Sequence, residues 1–182
     1  MEPRIATPRI APVDPEHSGD EVRELLSPYR RPVMNIFRTF AHHPKLLKRW
    51  SVFAGHILRK QTLPEADREI IILRVGWLCQ AAYEWQAHVR IGKHSGLSDA
   101  DIENIKTGPT APGLDPWRAT LMTAVDELRT DTMIGDATWT ALSQRYDTQQ
   151  LMDLVFTVGQ YSLVCMALNS FGVQPEDNGR PS

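Results

Sequence analysis

The sequence predicts an all-α protein, folded as a single-domain bundle of about seven or eight helices. Apolar residues recur at intervals of three and four positions, no segment alternates apolar and polar residues as a strand does, and helix-capping residues separate the apolar segments. We divide the chain into an extended, proline-rich N-terminal arm over residues 1–22 and a helical domain over residues 23–182. Such an arm either stays mobile or wraps around a neighbouring subunit.

The first part of the helical domain contains three predicted helices. The apolar positions that define the first are Val33, Ile36, Phe37 and Phe40. Pro44 ends that helix and suits the first turn of the second. The third begins near Thr62, a residue able to cap it, with Pro64 and Glu65 in its opening turn. Residues 70–75 are apolar on nearly every side, so we expect this helix to be buried.

Two further helices follow a short break in the pattern. The fourth covers about residues 81–95, and Gly96 suits the left-handed conformation that ends many helices. Ser98 and Asp101 have the spacing of a capping box, which predicts the start of a fifth helix.

The C-terminal part of the chain adds the remaining helices. Asp115 and Asp136 are predicted N-caps of two of them. The last helix covers residues 149–171 and ends at Gly172. It carries apolar residues on more than one side. A single subunit cannot bury all of these sides, so we expect a homo-oligomer.

Composition narrows the function classes. A net charge of −2 gives no electrostatic reason to bind nucleic acid or an anionic membrane surface. We expect no apolar run long enough to span a bilayer, and the N-terminal segment is too polar for a secretory signal, so we predict a cytoplasmic protein. Cys79 and Cys165 lie far apart in sequence and are interpreted as core residues. The His, Cys, Asp and Glu residues do not have the spacing of a metal site, and the sequence contains no cofactor-binding motif.

Glu84 and His88 are the first candidates for chemistry. Residues four apart lie on one face of a helix, so these two side chains stand one turn apart. An imidazole beside a carboxylate is suited to moving protons near neutral pH. From spacing alone, an exposed helical pair without function is equally compatible with the pattern.

A family resemblance adds to this pattern. Glu69, the stretch "YEWQAHVRIGKHSGLSDADI" and the terminal "VGQYSLVCMALNSFGV" resemble the carboxymuconolactone decarboxylase family, the superfamily that also contains alkylhydroperoxidase D. The likeness covers roughly residues 47–173. It implies an alkylhydroperoxidase D-like helical fold, assembled in this family as trimers and hexamers. The family's peroxidase branch carries a glutamate, a Cys-x-x-Cys pair and a histidine, which fall on Glu69, Ala81, Glu84 and His88 here.

The missing cysteines favour one branch of the family over the other. Both thiol positions are replaced, and Cys79 has no second cysteine in its own turn, so a dithiol peroxidase is not expected. The decarboxylase branch resembles this chain in placing glutamate and histidine at Glu84 and His88. It implies a cofactor-free lyase or isomerase acting on a small carboxylated ring compound, with Glu69, Glu84 and His88 as catalytic residues. We expect the three to converge, because the break at Cys79 lets the fourth helix fold back beside the third.

Two more residues are candidates for contact with a small-molecule substrate. The guanidinium fork of Arg74 could hold a carboxylate, although a structural pairing with Glu69 or a helix end fits equally well. Tyr83 is a second candidate, and a core or interface position is an alternative for it. Two other functions remain open: a divergent peroxidase that uses Cys79, and a non-catalytic helical oligomer.

Overall fold

The computed structural model describes residues 1–29 and 32–176, which form nine α-helices and no strand. The helices are α1 Asp20–Leu26, α2 Asn35–Phe40, α3 Pro44–Arg59, α4 Glu65–Leu78, α5 Ala82–His94, α6 Asp99–Thr107, α7 Pro116–Thr130, α8 Asp136–Ser143 and α9 Thr148–Phe171. The predicted all-α fold is confirmed. The short helix α1 was not predicted, because it lies where the sequence reads as the end of the arm.

Several helix ends follow the predicted chemistry. Ser98 and Asp101 form the expected capping box at the start of α6. The Asp115 side chain accepts a hydrogen bond from the Arg118 amide, 3.1 Å away, at the start of α7. Gly172 has a φ of 69°, so it ends α9 in the left-handed conformation that glycine adopts without strain.

Two predicted caps are wrong. Gly135 is the N-cap of α8, and Asp136 is its first helical residue with no capping hydrogen bond. Thr62 lies before α4, where its amide and hydroxyl both donate to the Asp153 carboxylate of α9, at 2.7 and 2.8 Å. The Thr62 side chain therefore contacts a distant helix instead of capping α4.

Helix α4 is the centre of the bundle. It packs against α5, α6, α7 and α9, and its residues 67–76 form one continuous buried segment. Because α4 is covered on every side, its sequence is apolar almost all round rather than along one stripe. The few polar side chains on this helix must therefore find partners inside the protein.

The N-terminal arm lies against its own chain. The Arg9 amide donates to the Phe171 carbonyl at 2.8 Å, and Gln174 donates from Nε2 to the Ile5 carbonyl at 2.8 Å. Further along, Arg38 Nε donates to the Val13 carbonyl at 2.8 Å. These bonds hold the arm in place rather than leave it mobile, and its wrapping around a neighbouring subunit stays a prediction. The arm follows the C-terminal end of α9.

Helix α9 corrects the expectation that no apolar run has membrane-spanning length. By length and composition alone it could cross a bilayer, and it is the one such helix in the described part of the chain. Half of its most apolar window is buried inside the bundle, as in the core helix of a globular fold. Its outer side exposes large apolar side chains, namely Met152, Phe156, Leu163 and Met166.

Candidate active site

The hairpin of α4 and α5 brings the three predicted catalytic residues together. Cys79 ends α4, and Gln80 has a φ of 50°, the left-handed turn that reverses the chain into α5. The two helices then run antiparallel, with Glu69 on α4 opposite His88 on α5. Gly92 favours this approach, because an added Cβ there would lie 3.2 Å from Leu73 Cδ1 of α4, which is tighter than an ordinary contact.

His88 is held between the two glutamates. Its Nδ1 lies 2.6 Å from Glu69 Oε2, and its Nε2 lies 3.0 Å from Glu84 Oε1. A neutral imidazole donates from one nitrogen only, whereas the protonated ring donates from both. Two carboxylate partners therefore favour the imidazolium form. The predicted convergence of Glu69, Glu84 and His88 is present in the structure.

The network is buried and its charges balance. Glu69 is fully buried, and Glu84 and His88 are 4% and 6% exposed. Arg68 Nε donates to the second oxygen of Glu69 at 3.0 Å. Two carboxylates, one guanidinium and one imidazolium sum to zero, which is the arrangement that limits the cost of burying charge.

The environment of His88 sets its protonation. Burial lowers the pKa of His88, but the charge of Glu84 and the hydrogen bonds to Glu69 and Glu84 outweigh burial and raise the pKa to about 9. The ring of Tyr161 on α9 packs edge-on against His88, with centroids 5.1 Å apart. Burial and the two carboxylates raise the pKa of Tyr161, so its hydroxyl stays protonated at neutral pH.

Arg74 belongs to a different network. Its guanidinium binds Asp126 of α7 through two hydrogen bonds of 2.7 and 2.8 Å. It also donates to the carbonyls of Ile105 and Lys106, at 2.9 and 3.2 Å, in the last turn of α6. Of the predicted alternatives, the pairing with a helix end is the one observed. Nε, Nη1 and Nη2 of Arg74 all donate to acceptors within the protein, so Arg74 links α4, α6 and α7.

Tyr83 is directed into a small apolar cluster rather than toward His88. Its hydroxyl donates to Glu176 at 2.5 Å and accepts a longer bond of 3.4 Å from the Ile36 amide. Its ring packs in the cluster that contains Leu168 and Val173. Burial and the hydrogen bond to Glu176 raise the pKa of Tyr83. The core alternative for Tyr83 is the observed one.

Cys79 and Cys165 are neighbours in space. The Cys79 thiol is half-buried and the Cys165 thiol on α9 is buried, and the influence of Cys165 lowers the pKa of Cys79 to about 7. Asn169, one turn after Cys165, donates from Nδ2 to the Cys79 carbonyl at 2.9 Å. Cys79 has no second cysteine in its own turn, and the helix that lies beside it is α9.

A cleft of about 550 Å³ opens beside the turn between α4 and α5. Its walls include the rings of Trp77 and Trp85 and the cationic side chains of Lys106 and Arg4. The Lys106 ammonium lies 5.6 and 5.7 Å from the centroids of the two indole rings. The cleft therefore combines flat apolar surface with positive charge. Among the described residues, no group of three or more His, Cys, Asp and Glu side chains is arranged to hold a metal ion.

Two residues around the site were not predicted from the sequence: Arg68 and Tyr161. Arg68 directly precedes Glu69, and a buried glutamate needs a partner, so that signal was available. Tyr161 lies in the terminal stretch quoted for the family resemblance. It is too far from Glu69 along the chain for spacing to show that the two lie close together.

Comparison with known proteins agrees with this architecture. Residues 44–127 match the sequence profile described as the Carboxymuconolactone decarboxylase family, and this segment contains Glu69, Glu84 and His88. No protein of curated function matches the sequence.

Solved structures share the fold at low sequence identity. One is described as an alkylhydroperoxidase AhpD core, an uncharacterized peroxidase-related protein from Ralstonia eutropha JMP134, with a TM-score of 0.80 and 17% identity over 93% of each chain. An uncharacterized peroxidase-related protein from Silicibacter sp. TM1040 gives 0.77 and 14% over 95% of each chain. The debrominase Bmp8, solved with 2,3,4-tribromopyrrole, gives 0.73 and 10% over 94% of this chain and 93% of its own. At these identities the likeness establishes the AhpD-like fold alone.

Proposed function

We propose, from the match of residues 44–127 to the Carboxymuconolactone decarboxylase family, that this chain is a cofactor-free lyase or isomerase acting on a small carboxylated ring compound. Decarboxylation is the reaction we favour. The observation that carries the proposal is the buried Glu69–His88–Glu84 network, in which an imidazolium is held between two carboxylates.

The network can supply the proton that a decarboxylation consumes. When a carboxylate leaves as carbon dioxide, the bonding electron pair stays on the substrate carbon, which must then gain a proton. His88 holds a proton at neutral pH, and Glu84 lies at hydrogen-bond distance from Nε2 to pass it on. Glu69 and Arg68 fix the ring from the opposite side. In this scheme Glu69 and Arg68 are positioning residues, and solvent restores the proton after release.

The cleft beside the α4–α5 turn fits the proposed substrate class. Indole faces accept a planar ring, and Lys106 with Arg4 attracts a carboxylate. Trp85 lines the cleft and directly follows Glu84 in α5. Along the chain, Glu84 is therefore the member of the network nearest to this cleft residue. We place the substrate in this cleft, with its reacting carbon turned toward Glu84.

We also propose a homo-oligomer, built through the exposed apolar side of α9. Phe156 on α9 packs edge-on against Phe53 of α3, with centroids 6.1 Å apart, and both rings remain partly exposed. Exposed aromatic and aliphatic groups of this kind favour association. Both cysteines are free thiols, as expected in a reducing compartment, and we place the protein in the cytoplasm.

Two alternatives stay open. A divergent peroxidase is favoured by one feature, the half-buried Cys79 thiol, whose pKa Cys165 lowers to about 7. A non-catalytic oligomer would leave the buried network as a structural element, since such networks also specify packing.

The test is turnover of carboxylated unsaturated lactones in deuterium oxide. NMR should show release of carbon dioxide and one deuteron on the carbon that lost it. His88→Ala should lower kcat by about a hundredfold or more, the loss typical of a general acid–base group. Glu24→Gln serves as the matched control, because Glu24 is exposed on α1 and belongs to neither the buried network nor the cleft. Robust hydroperoxide reduction that Cys79→Ser abolishes and His88→Ala preserves would instead support the peroxidase.

A further inference from the structure

The hydroxyl of Tyr161 on α9 has no hydrogen-bond partner among the described residues. The chain contains four tyrosines, and the other three hydroxyls each form a bond of 2.5 to 2.7 Å inside the protein: Tyr29 with Ser51, Tyr83 with Glu176 and Tyr146 with Asp67. A tyrosine hydroxyl inside a protein usually has such a partner. The Tyr161 hydroxyl is therefore a donor that a bound molecule could use.

Tyr161 lies beside the buried network, and its oxygen is accessible. The ring packs edge-on against His88, with centroids 5.1 Å apart, and only 7% of the residue is exposed. One turn earlier, the Thr157 hydroxyl also lacks a partner in the described part of the chain but is fully covered, whereas the Tyr161 oxygen keeps some accessible surface. A small ligand can thus reach this oxygen, while the ring stays packed against His88.

The surroundings of the hydroxyl keep it protonated. Burial contributes most to raising the pKa of Tyr161, and the charges of Glu84 and Glu69 raise it further, against the opposing charge of Arg68. Of the two carboxylates, Glu84 has the larger effect, and Glu84 is also the residue that we turn toward the substrate. Across the neutral range the hydroxyl therefore keeps its proton and can donate it in a hydrogen bond.

Given the proposed decarboxylation, on which this inference rests, we propose that Tyr161 is a further catalytic residue whose hydroxyl donates a hydrogen bond to the substrate oxygen that becomes negatively charged. This role is separate from proton transfer, which stays with His88 and Glu84. A donor that is fixed in place before the reaction stabilises the transition state without having to reorient. The ring compound must then have a carbonyl conjugated to its reacting carbon, because such a carbonyl carries the charge to an oxygen.

The reaction balances with Tyr161 chemically unchanged. The bond between the reacting carbon and the carboxylate breaks, carbon dioxide leaves, and the electron pair is delocalised onto the conjugated carbonyl oxygen. Tyr161 donates its hydrogen bond to that oxygen while the charge is there. The pair returns to the carbon as the carbon gains the proton of His88 by way of Glu84, and solvent then restores that proton.

Tyr161→Phe tests the hydroxyl alone, because the ring that contacts His88 remains. In lactone turnover we expect kcat to fall about a hundredfold, as when an oxyanion donor is removed, with KM nearly unchanged. The His88 titration midpoint should stay at about 9, and the free energy of unfolding should not fall, since no bond to a described residue is lost. Tyr146→Phe is the matched control. It removes the bond of 2.7 Å to Asp67, so it should lower stability and leave kcat unchanged.

A binding experiment tests the same hydroxyl without turnover. The probe is 4-hydroxy-3-nitrobenzoate, a carboxylated ring whose nitrophenolate form absorbs visible light, and 3-nitrobenzoate is the analogue without the hydroxyl. The titration midpoint of the bound phenol should be about one pH unit higher in Tyr161→Phe than in the wild type, since a hydrogen bond to the phenolate is lost. Binding of 3-nitrobenzoate should be the same in both proteins.

Several outcomes would overturn the role of Tyr161: a wild type that does not bind the probe, a phenol midpoint that is equal in the two proteins, or an unchanged kcat in Tyr161→Phe. A His88 midpoint that shifts in this variant would also overturn it, because Tyr161 would then act through His88. If no lactone is turned over but the phenol midpoint still depends on the Tyr161 hydroxyl, the decarboxylation is wrong and the donation to a ligand oxyanion stands.

Discussion

Replacing Glu84 by glutamine should release the proton of His88 at a lower pH. In the wild type the pKa of His88 is raised from 6.5 to about 9, with the charge of Glu84 as the largest favourable contribution. Glu84→Gln removes that charge at nearly unchanged volume, while the bond to Glu69 remains. We expect the His88 titration midpoint to fall by about one pH unit or more, each unit being about 1.4 kcal/mol of differential interaction.

The same pKa shift predicts how stability depends on pH. A histidine whose pKa is higher in the folded protein than in the unfolded chain stabilises the fold fully below the unfolded value. That contribution is lost as the pH rises through the folded value. For His88 the window runs from 6.5 to about 9, and the free energy of unfolding should fall across it by about 3 kcal/mol. Glu84→Gln should show a smaller decrease over the same window.

Two measurements check this prediction. Long-range proton–nitrogen NMR spectra follow the His88 ring directly, with His88→Gln to assign its signals, and urea unfolding at pH 6.5 and 9.5 gives the free energies. Glu103→Gln is the control, since its carboxylate is mostly exposed and should leave both results unchanged. A wild-type midpoint near 6.5, or a midpoint that Glu84→Gln does not move, would refute the electrostatic account of the site.

Two further predictions concern Arg74 and assembly. Arg74→Ala should lower the free energy of unfolding by about 3 kcal/mol, because it leaves the Asp126 carboxylate unpaired, and urea titration measures this. The His88 titration midpoint should not change in that variant. If Arg74→Ala instead lost turnover while keeping wild-type stability, Arg74 would be assigned to substrate binding. Light scattering at micromolar concentration should show a homo-oligomer that Phe156→Asp dissociates, whereas a monomeric wild type would contradict the role given to α9.

Local chemistry made much of the helical architecture predictable. The capping box of Ser98 and Asp101 is formed between residues three apart, so the sequence alone contains all the partners it needs. Glu84 and His88 share a face of α5 for the same reason, because helix geometry places residues four apart together. Thr62 shows the limit of such reasoning, since its hydroxyl found Asp153 of α9 instead of its own helix.

The sequence by itself thus determined the all-α fold, most helix ends and the Glu84–His88 pair, since these depend on interactions within about one helical turn. Tertiary structure decided that Glu69 closes the network, that Arg74 joins three helices and that Asn169 of α9 binds the Cys79 carbonyl. Those contacts depend on how α4, α5, α7 and α9 cross, and crossing geometry follows from packing of whole helix surfaces. A residue type and its spacing do not specify which distant side chain that packing will bring to it.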